Sequence, residues 1–239
     1  SAKLIRFNLP DEMNSEYILN NLIDVVRVNK YKEDIYIKIV MFLDDEKGWS
    51  SLEPASIFID PFPKRRAFSD IVGLDCCVSS WERINDADMP PRIKSGANYL
   101  NSRITLLEAK LNGYDYPIIL NRNGKVSEGP GACIFMIRNN NLITPPVTAS
   151  ILESITRQSV IEFAMSEFNI KTEEREIDRT ELYLADEIFF VGTSMEIVPV
   201  LSIDKIPINN NRMGEITKNL TKTYFNIVRG NLKKYDKWI

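Results

Sequence analysis

Residues 152–157 read Leu152-Glu153-Ser154-Ile155-Thr156-Arg157 and open a segment with helical spacing of apolar residues up to Phe168. The backbone N–H groups at such a helix start, with Ser and Thr hydroxyls beside them, can hold a phosphate group. The same residues also fit an ordinary Ser or Thr cap, which is the commoner use of this pattern. The stretch therefore predicts a helix over about 156–168 and leaves two roles open for its first turn.

Three more segments place reactive side chains among small or turn-forming residues. Residues 92–99 put Lys94 between a Pro-containing loop and a predicted helix start. Residues 127–131 put Glu128 in a turn rich in Gly and Pro, and residues 192–196 end a buried strand in a hydroxyl-bearing loop. Taken singly, each has a simpler interpretation, namely a solvated lysine, a surface turn and a plain loop.

The composition restricts the chemistry that these segments can perform. The 239 residues include no His, so a His-containing triad and an imidazole metal ligand are excluded, and protons must move through Lys, carboxylates, Tyr or Cys. The three cysteines have neither the count nor the spacing of a disulfide framework or zinc site, which favours a reducing, cytoplasmic environment. We expect no bound metal.

The charge balance and the apolar runs argue against two classes of partner. Lys and Arg number 30 against 33 Asp and Glu, a net charge of -3, so there is no basic excess to bind nucleic acid. The longest apolar run, residues 35–43, is far shorter than the roughly 20 residues that span a bilayer. We therefore expect neither a nucleic-acid partner nor a membrane-spanning segment.

Strands and helices alternate without a βαβ rhythm, which favours an α+β fold over a doubly wound sheet. Four helices and seven strands are predicted from periodicity and turn residues. The helices are expected at 16–29, 97–112, 156–168 and 215–228, and the strands at 34–43, 55–59, 71–81, 116–121, 133–137, 142–144 and 185–192.

In order and spacing, the segments together resemble the class IV aminotransferases, and most closely the branched-chain aminotransferases. The resemblance covers essentially the whole chain, and it departs from the family pattern at Pro130 and Cys133, where a small residue and Asn are usual. The matching residues are Glu128, Ile134-Phe135, Leu142-Ile143-Thr144, Leu152 to Arg157, Tyr183 to Glu187, Gly192-Thr193, Glu196-Ile197 and Pro199-Val200.

The resemblance implies the fold-type IV architecture of pyridoxal phosphate enzymes, an α+β fold of two α/β domains that assemble as a homodimer. The small N-terminal domain would occupy 1–66 without its first strands, an interdomain linker 67–72, and the large cofactor-binding domain 73–239. It also implies that full-length members have some tens of residues ahead of the position of Ser1, with an Arg that binds phosphate.

The resemblance implies catalytic and cofactor-binding roles for three side chains. Lys94 would hold pyridoxal phosphate as a Schiff base and move protons, Glu128 would face the pyridine nitrogen, and Tyr99 would bond to the 3-oxygen of the ring. Of the remaining cofactor contacts, Leu152 would pack on the ring, and Ile155, Thr156 and Thr193 would bind the phosphate.

The resemblance also implies substrate contacts. The loop of Thr193, Ser194 and Met195 would offer backbone donors to the α-carboxylate of an amino acid. Lys38 aligns with a position that binds the distal carboxylate of glutamate in bacterial members, and it could do so as a point charge. A solvated lysine on a strand edge is an equally good interpretation of Lys38.

The function implied is transamination of the L-branched-chain amino acids Leu, Ile and Val with 2-oxoglutarate, with small-molecule amino acids and 2-oxo acids as partners. Alternatives on the same fold are a D-amino-acid aminotransferase and aminodeoxychorismate lyase. An inactive fragment of such an enzyme, or a non-catalytic binding protein on the same scaffold, is a further alternative. The resemblance at Asp204, at residues 213–217 and in the closing helix favours the branched-chain group.

Overall fold

The computed structural model describes residues 1–63 and 72–238, and the chain divides into two compact units between Ser69 and Asp70. Apart from Val72, the predicted linker 67–72 lies outside the described residues. The predicted domain boundaries at 66 and 73 stay predictions.

The described part of the smaller unit, residues 1–63, contains one α-helix, a short 3-10 helix (Gly48–Ser50) and a two-stranded antiparallel sheet. Helix α1 (Ser15–Asn29) begins where the Asn14 side chain accepts a hydrogen bond from the Tyr17 N–H at 2.9 Å, an N-cap that satisfies a helix-start donor. Strands β1 (Ile35–Phe42) and β2 (Ser56–Pro63) pair along their full length. β2 is longer than the predicted 55–59 because an edge strand tolerates proline.

The larger unit contains a nine-stranded mixed sheet. Its strands are β3 (Leu74–Glu82), β4 (Tyr116–Leu120), β5 (Val126–Glu128), β6 (Cys133–Arg138), β7 (Asn141–Thr144), β8 (Thr172–Glu174), β9 (Glu187–Gly192), β10 (Glu196–Ile203) and β11 (Ile206–Pro207). The strand order is β5-β4-β3-β10-β9-β6-β7-β8, and β11 pairs with β10. Parallel pairing joins β3 to β4, β10 to β3 and β7 to β8, and the other pairs are antiparallel.

Three α-helices in the described residues 72–238 accompany this sheet: α2 (Tyr99–Leu111), α3 (Ile155–Phe168) and α4 (Glu215–Val228). α3 and α4 pack on one face of β6 and β9, where the rings of Phe135 and Phe189 stack at 5.2 Å between centroids. The mixed sheet, in which most neighbouring strands are antiparallel, agrees with the predicted α+β class.

Helix α2 turns small side chains towards the sheet and leucines towards solvent. Its buried residues are Ser102, Thr105 and Ala109, and its exposed leucines are Leu100, Leu107 and Leu111. The exposure of these leucines is unusual, because helices of soluble proteins normally bury their apolar side against the core. Among the described residues, none of the helices has the length and apolar character needed to cross a membrane.

Candidate active site

Glu128 lies at the end of β5 and is only 3% exposed. Arg83 donates from Nε to Glu128 Oε1 at 2.9 Å, and a second guanidinium nitrogen lies 2.8 Å from the same oxygen. The backbone N–H of Leu152 donates to both carboxylate oxygens at 3.2 Å. The interpretation of residues 127–131 as a surface turn is therefore wrong for Glu128, because its carboxylate is enclosed and bound on two sides.

The charge of this carboxylate is only partly compensated. Burial raises the pKa of Glu128 to about 7, although the Arg83 guanidinium, the Leu152 N–H and the Lys94 ammonium all act to lower it. Desolvation of the charged form thus outweighs the three favourable neighbours. A further cation or N–H donor at this carboxylate would stabilise its ionised form.

The turn after Glu128 is fixed by tight packing. A Cβ atom added to Gly129 would lie 2.5 Å from the Tyr116 ring and 2.9 Å from the Phe190 ring, so only glycine fits without a shift. The Gly131 N–H donates to the Tyr116 hydroxyl at 3.0 Å. The close packing explains the glycine at position 129, and both contacts hold the backbone that positions Glu128.

Lys94 lies in the loop between β3 and α2 and points to the start of that helix. Its Nζ donates to the Tyr99 hydroxyl at 2.7 Å. Lys94 is also near enough to Glu128 to lower the pKa of that carboxyl. The structure thus brings together the three side chains Lys94, Tyr99 and Glu128, which are separated by up to 34 positions in the sequence.

The Lys94 loop is connected to the segment that leads into α3. Arg92 donates from Nε to Glu153 Oε1 at 2.7 Å and from a terminal nitrogen to Asp86 at 3.3 Å. Glu153 immediately precedes the Ser154 cap of α3, so the ion pair ties the amine-bearing loop to the helix start.

At that helix start, Ser154 Oγ accepts a hydrogen bond from the Arg157 N–H at 3.3 Å, which is the ordinary capping role. The first internal bond of the helix runs from Gln158 N–H to the Ser154 carbonyl. The N–H groups of Ile155 and Thr156 precede this bond and belong to the first turn, whose donors have no intrahelical acceptor. The Ser154 cap therefore leaves the Ile155 and Thr156 N–H groups able to bind an anion.

The predicted substrate loop forms the turn between β9 and β10. Thr193 is exposed, whereas Met195 is buried. A Cβ atom on the preceding Gly192 would lie 3.1 Å from the Gly131 carbonyl oxygen, so this turn adjoins the turn that follows Glu128. Lys38 lies exposed on β1 in the smaller unit, and its role stays a prediction.

Two positions near Glu128 were missed or left without a role by the sequence patterns. Arg83 follows a strand of buried character and was indistinguishable from the polar residues of the adjacent loop. Cys133, at the start of β6, lies with its Sγ 3.9 Å from Glu128 Oε2 and 3.6 Å from the Leu152 carbonyl. Burial strongly raises the pKa of the Cys133 thiol, so it remains protonated and acts as a weak donor.

The donor set suits one ligand with an aldehyde, a protonated ring nitrogen and a phosphate. The Lys94 amine can bond to an aldehyde carbon, the Glu128 carboxylate can accept from a ring N–H, and the start of α3 can bind phosphate. Pyridoxal phosphate has these three groups. Within residues 1–63 and 72–238, no group of three Cys, Asp or Glu side chains is arranged to hold a metal ion.

The amino-acid sequence of this chain matches known proteins over most of its length. Residues 1–203 match the family model described as amino-transferase class IV. The chain is 40% identical over 222 residues to the “Probable branched-chain-amino-acid aminotransferase” of Aquifex aeolicus, covering 90% of this chain and 70% of that protein. It is 36% identical over 245 residues to the branched-chain-amino-acid aminotransferase of Escherichia coli K12, covering 100% of this chain and 77% of that one.

A solved structure shows the same similarity in three dimensions. The branched-chain amino acid aminotransferase of Thermobaculum terrenum in its PLP form superposes with a TM-score of 0.93 at 42% identity, covering 99% of this chain and 77% of that one.

Proposed function

This chain belongs to the class IV aminotransferases, and we propose that it transfers the amino group of the L-branched-chain amino acids Leu, Ile and Val to 2-oxoglutarate with pyridoxal phosphate as cofactor. The names of its relatives support this substrate class. The observation on which the proposal chiefly rests is the buried Glu128 carboxylate, whose charge is incompletely compensated, close to the Lys94–Tyr99 pair.

When bound, pyridoxal phosphate supplies an electron-withdrawing ring that stabilises negative charge at the α carbon of an amino acid. Glu128 makes that withdrawal effective by holding a proton on the ring nitrogen. The Arg83 guanidinium and the Leu152 N–H hold this carboxylate in place. Since a positive ring N–H favours the ionised carboxylate, cofactor binding should lower the pKa of Glu128 below about 7.

Lys94 is the residue that bonds to the cofactor and that moves the proton of the α carbon. An amine does both only when it is unprotonated and aimed at the reacting carbon. The Tyr99 hydroxyl, which accepts from Lys94 Nζ in this structure, is well placed to bond the 3-oxygen of the ring once Lys94 is engaged.

The phosphate and the substrate carboxylate are assigned to backbone donors. Ile155 and Thr156 offer the phosphate their backbone N–H groups in the first turn of α3. Thr193, in the turn between β9 and β10, also binds the phosphate. Thr193, Ser194 and Met195 then face the α-carboxylate, and the Leu152 side chain packs on the ring.

Two further statements belong to this proposal. The first is a homodimer, supported by the solvent-facing leucines of α2, the kind of exposed apolar surface that a protein partner covers. The second is a cytoplasmic location, supported by three buried cysteines that are all free thiols.

The substrate class is tested by supplying 2-oxoglutarate with L-leucine, D-alanine or aminodeoxychorismate and following glutamate or pyruvate formation. We expect L-leucine to be consumed and the other two to be left. Preferential consumption of D-alanine, or release of pyruvate from aminodeoxychorismate, would reassign the chain within its fold.

The site is tested by reducing the protein with borohydride in the presence of pyridoxal phosphate and mapping the labelled peptide. We expect the pyridoxyl group on Lys94. Lys110, an exposed lysine on α2, is the internal control and should stay unlabelled at low cofactor concentration. Labelling chiefly at another lysine would exclude the assigned site.

A further inference from the structure

We propose that Asn98 is a positioning residue that fixes the loop of Lys94 and thereby aims its amine. The inference rests on the proposed function, because it takes Lys94 to be the cofactor-binding lysine. Asn98 immediately precedes α2 and is 6% exposed, so its amide is shielded from water.

The Asn98 side chain joins two consecutive turns. The Pro90 carbonyl accepts hydrogen bonds from Ile93 N–H at 3.0 Å and from Asn98 Nδ2 at 2.9 Å. The Ile93 carbonyl accepts from Ser95 N–H at 3.0 Å and from Asn98 Nδ2 at 2.8 Å. Lys94 is the central residue of the second turn. The Ile93 carbonyl, which directly precedes Lys94, is fixed by its two hydrogen bonds, and this fixes the position of the Lys94 Cα.

Both protons of the Asn98 amide are used in this way, one on each carbonyl. Because Asn98 is also the neighbour of Tyr99, the same residue sets both ends of the 2.7 Å bond between Lys94 Nζ and the Tyr99 hydroxyl. A loop without this link would still exist, but Lys94 would sample more directions. Preorganisation of this kind lowers the cost of placing an amine next to a reacting carbon.

Asn98→Asp is the sharpest test, because it keeps the shape of the side chain and replaces Nδ2, which carries both N–H donors, with a carboxylate oxygen that faces the Pro90 and Ile93 carbonyls. Asn98→Ser is the milder variant and keeps a single donor. Asn112→Asp is the matched control: Asn112 follows the end of the same helix, is exposed, and donates to the Glu108 carbonyl at 3.0 Å.

The readouts are the pyridoxal phosphate concentration that gives half-maximal borohydride trapping, the distribution of label among lysines, and the melting temperature. Loss of buried hydrogen bonds to one residue should raise the half-maximal concentration on the order of 10- to 100-fold in Asn98→Asp and less in Asn98→Ser. Label should spread from Lys94 to other lysines. Asn112→Asp should stay within about twofold of the parent protein.

The outcomes separate this inference from the proposed function. If the parent protein is not trapped at Lys94, the proposed function fails first. If the parent is trapped there and both folded Asn98 variants are trapped with equal affinity and selectivity, Asn98 has no positioning role while the function stands. Should Asn98→Asp not fold, Asn98→Ser decides by the same two readouts, because a merely structural role would lower its melting temperature without redistributing the label.

Discussion

Glu128 and Glu181 of the larger unit are both bound by arginines, yet the pKa of one rises and that of the other falls. Arg175 donates to Glu181 at 2.8 and 2.6 Å, and Arg138 donates to it at 2.8 Å. The hydrogen bonds from Arg175, with help from Arg138, lower the pKa of Glu181 to about 2. Burial raises the pKa of Glu128 to about 7 with one arginine beside it.

The difference follows from the number of cations and from access to water. Glu181 has two guanidinium partners and a side chain that is 12% exposed, so its charge is neutralised by neighbours and solvent. Glu128 has one guanidinium, and its side chain is 5% exposed. A carboxylate whose charge is fully balanced by cations stabilises the fold. A buried carboxylate with too few cationic partners can bind a further cationic group, and such carboxylates are typical of functional sites.

The largest expected effect distinguishes the two glutamates by activity. Glu128→Gln removes the charge that would hold a proton on the cofactor ring, and loss of such an electrostatic partner costs on the order of 10²–10³ in rate. Glu181→Gln should stay within about threefold of the parent rate when both are assayed below their melting temperatures. Equal losses in the two variants would show that Glu128 acts only through folding.

The second expectation concerns stability at the Glu128 pair. Arg83→Met leaves a buried carboxylate without its cation and should lower the free energy of unfolding by about 3 kcal/mol. The double variant Arg83→Met/Glu128→Gln should recover most of that stability, because no unpaired charge remains, but none of the activity.

Denaturant unfolding of the two single variants and the double variant measures this coupling. Additive losses of stability would mean that Arg83 and Glu128 do not form a coupled pair. Recovery of activity in the double variant would remove the electrostatic role given to Glu128.

The main elements of the fold could be predicted from the sequence, because apolar periodicity marks most of them directly. α3 and α4 begin within a residue of their predicted positions. Strand β8 was not predicted because Thr172-Glu173-Glu174 has no apolar residue. Strand β10 was not predicted because a proline interrupts its apolar pattern. The exposure of the α2 leucines could not be predicted, because periodicity shows that apolar residues share one side of a helix but not whether that side faces the sheet or solvent.

The candidate site was predictable only in part. Lys94, Tyr99 and Glu128 were predicted from a resemblance in spacing, and the structure brings them together, although no comparison tests their roles. Arg83 could not be predicted from the sequence, because its partner is 45 positions away and a lone arginine in a loop has no periodic signal. The role proposed for Asn98 could not be predicted either, because its side chain binds two backbone carbonyls and the sequence does not show which carbonyls will be near it.

The third expectation is that the two glutamates affect stability with opposite dependence on pH. Because the pKa of Glu128 is raised from 4.5 to about 7, its contribution is fully present below pH 4.5 and is lost as the pH rises. Between pH 5 and 7 that loss amounts to about 2 kcal/mol of unfolding free energy. Glu128→Gln should flatten the stability curve of the cofactor-free protein over this range.

Glu181 should show the opposite behaviour. Its pKa is lowered to about 2, so its contribution is present above pH 4.5 and is lost as the pH falls towards 2. Solvent screening keeps the loss smaller than that of a fully buried pair. Unfolding curves at pH 3 to 8 for the parent, Glu128→Gln and Glu181→Gln proteins should separate the two ranges, and flattening of the same range by both variants would contradict the comparison.

The smallest expected effect comes from a residue that shares Arg83 with Glu128. Arg83 donates from a terminal nitrogen to Asn101 Oδ1 at 3.2 Å, and Asn101 donates to the Glu82 carbonyl at 2.9 Å. Asn101→Asp places a second carboxylate on this guanidinium and a like charge near Glu128, both of which raise the pKa of Glu128 further. The rate should fall about two- to fivefold at pH 7 and recover at pH 8.5, where Glu128 is ionised again.

Asn112→Asp, which adds the same charge at the far end of α2, should change neither the rate nor its pH dependence. A pH-independent loss in Asn101→Asp would mean that the variant distorts the loop instead of competing for Arg83. An unchanged rate at pH 7 would mean that one guanidinium satisfies both carboxylates, and that the deficit of positive charge at Glu128 is smaller than its burial implies.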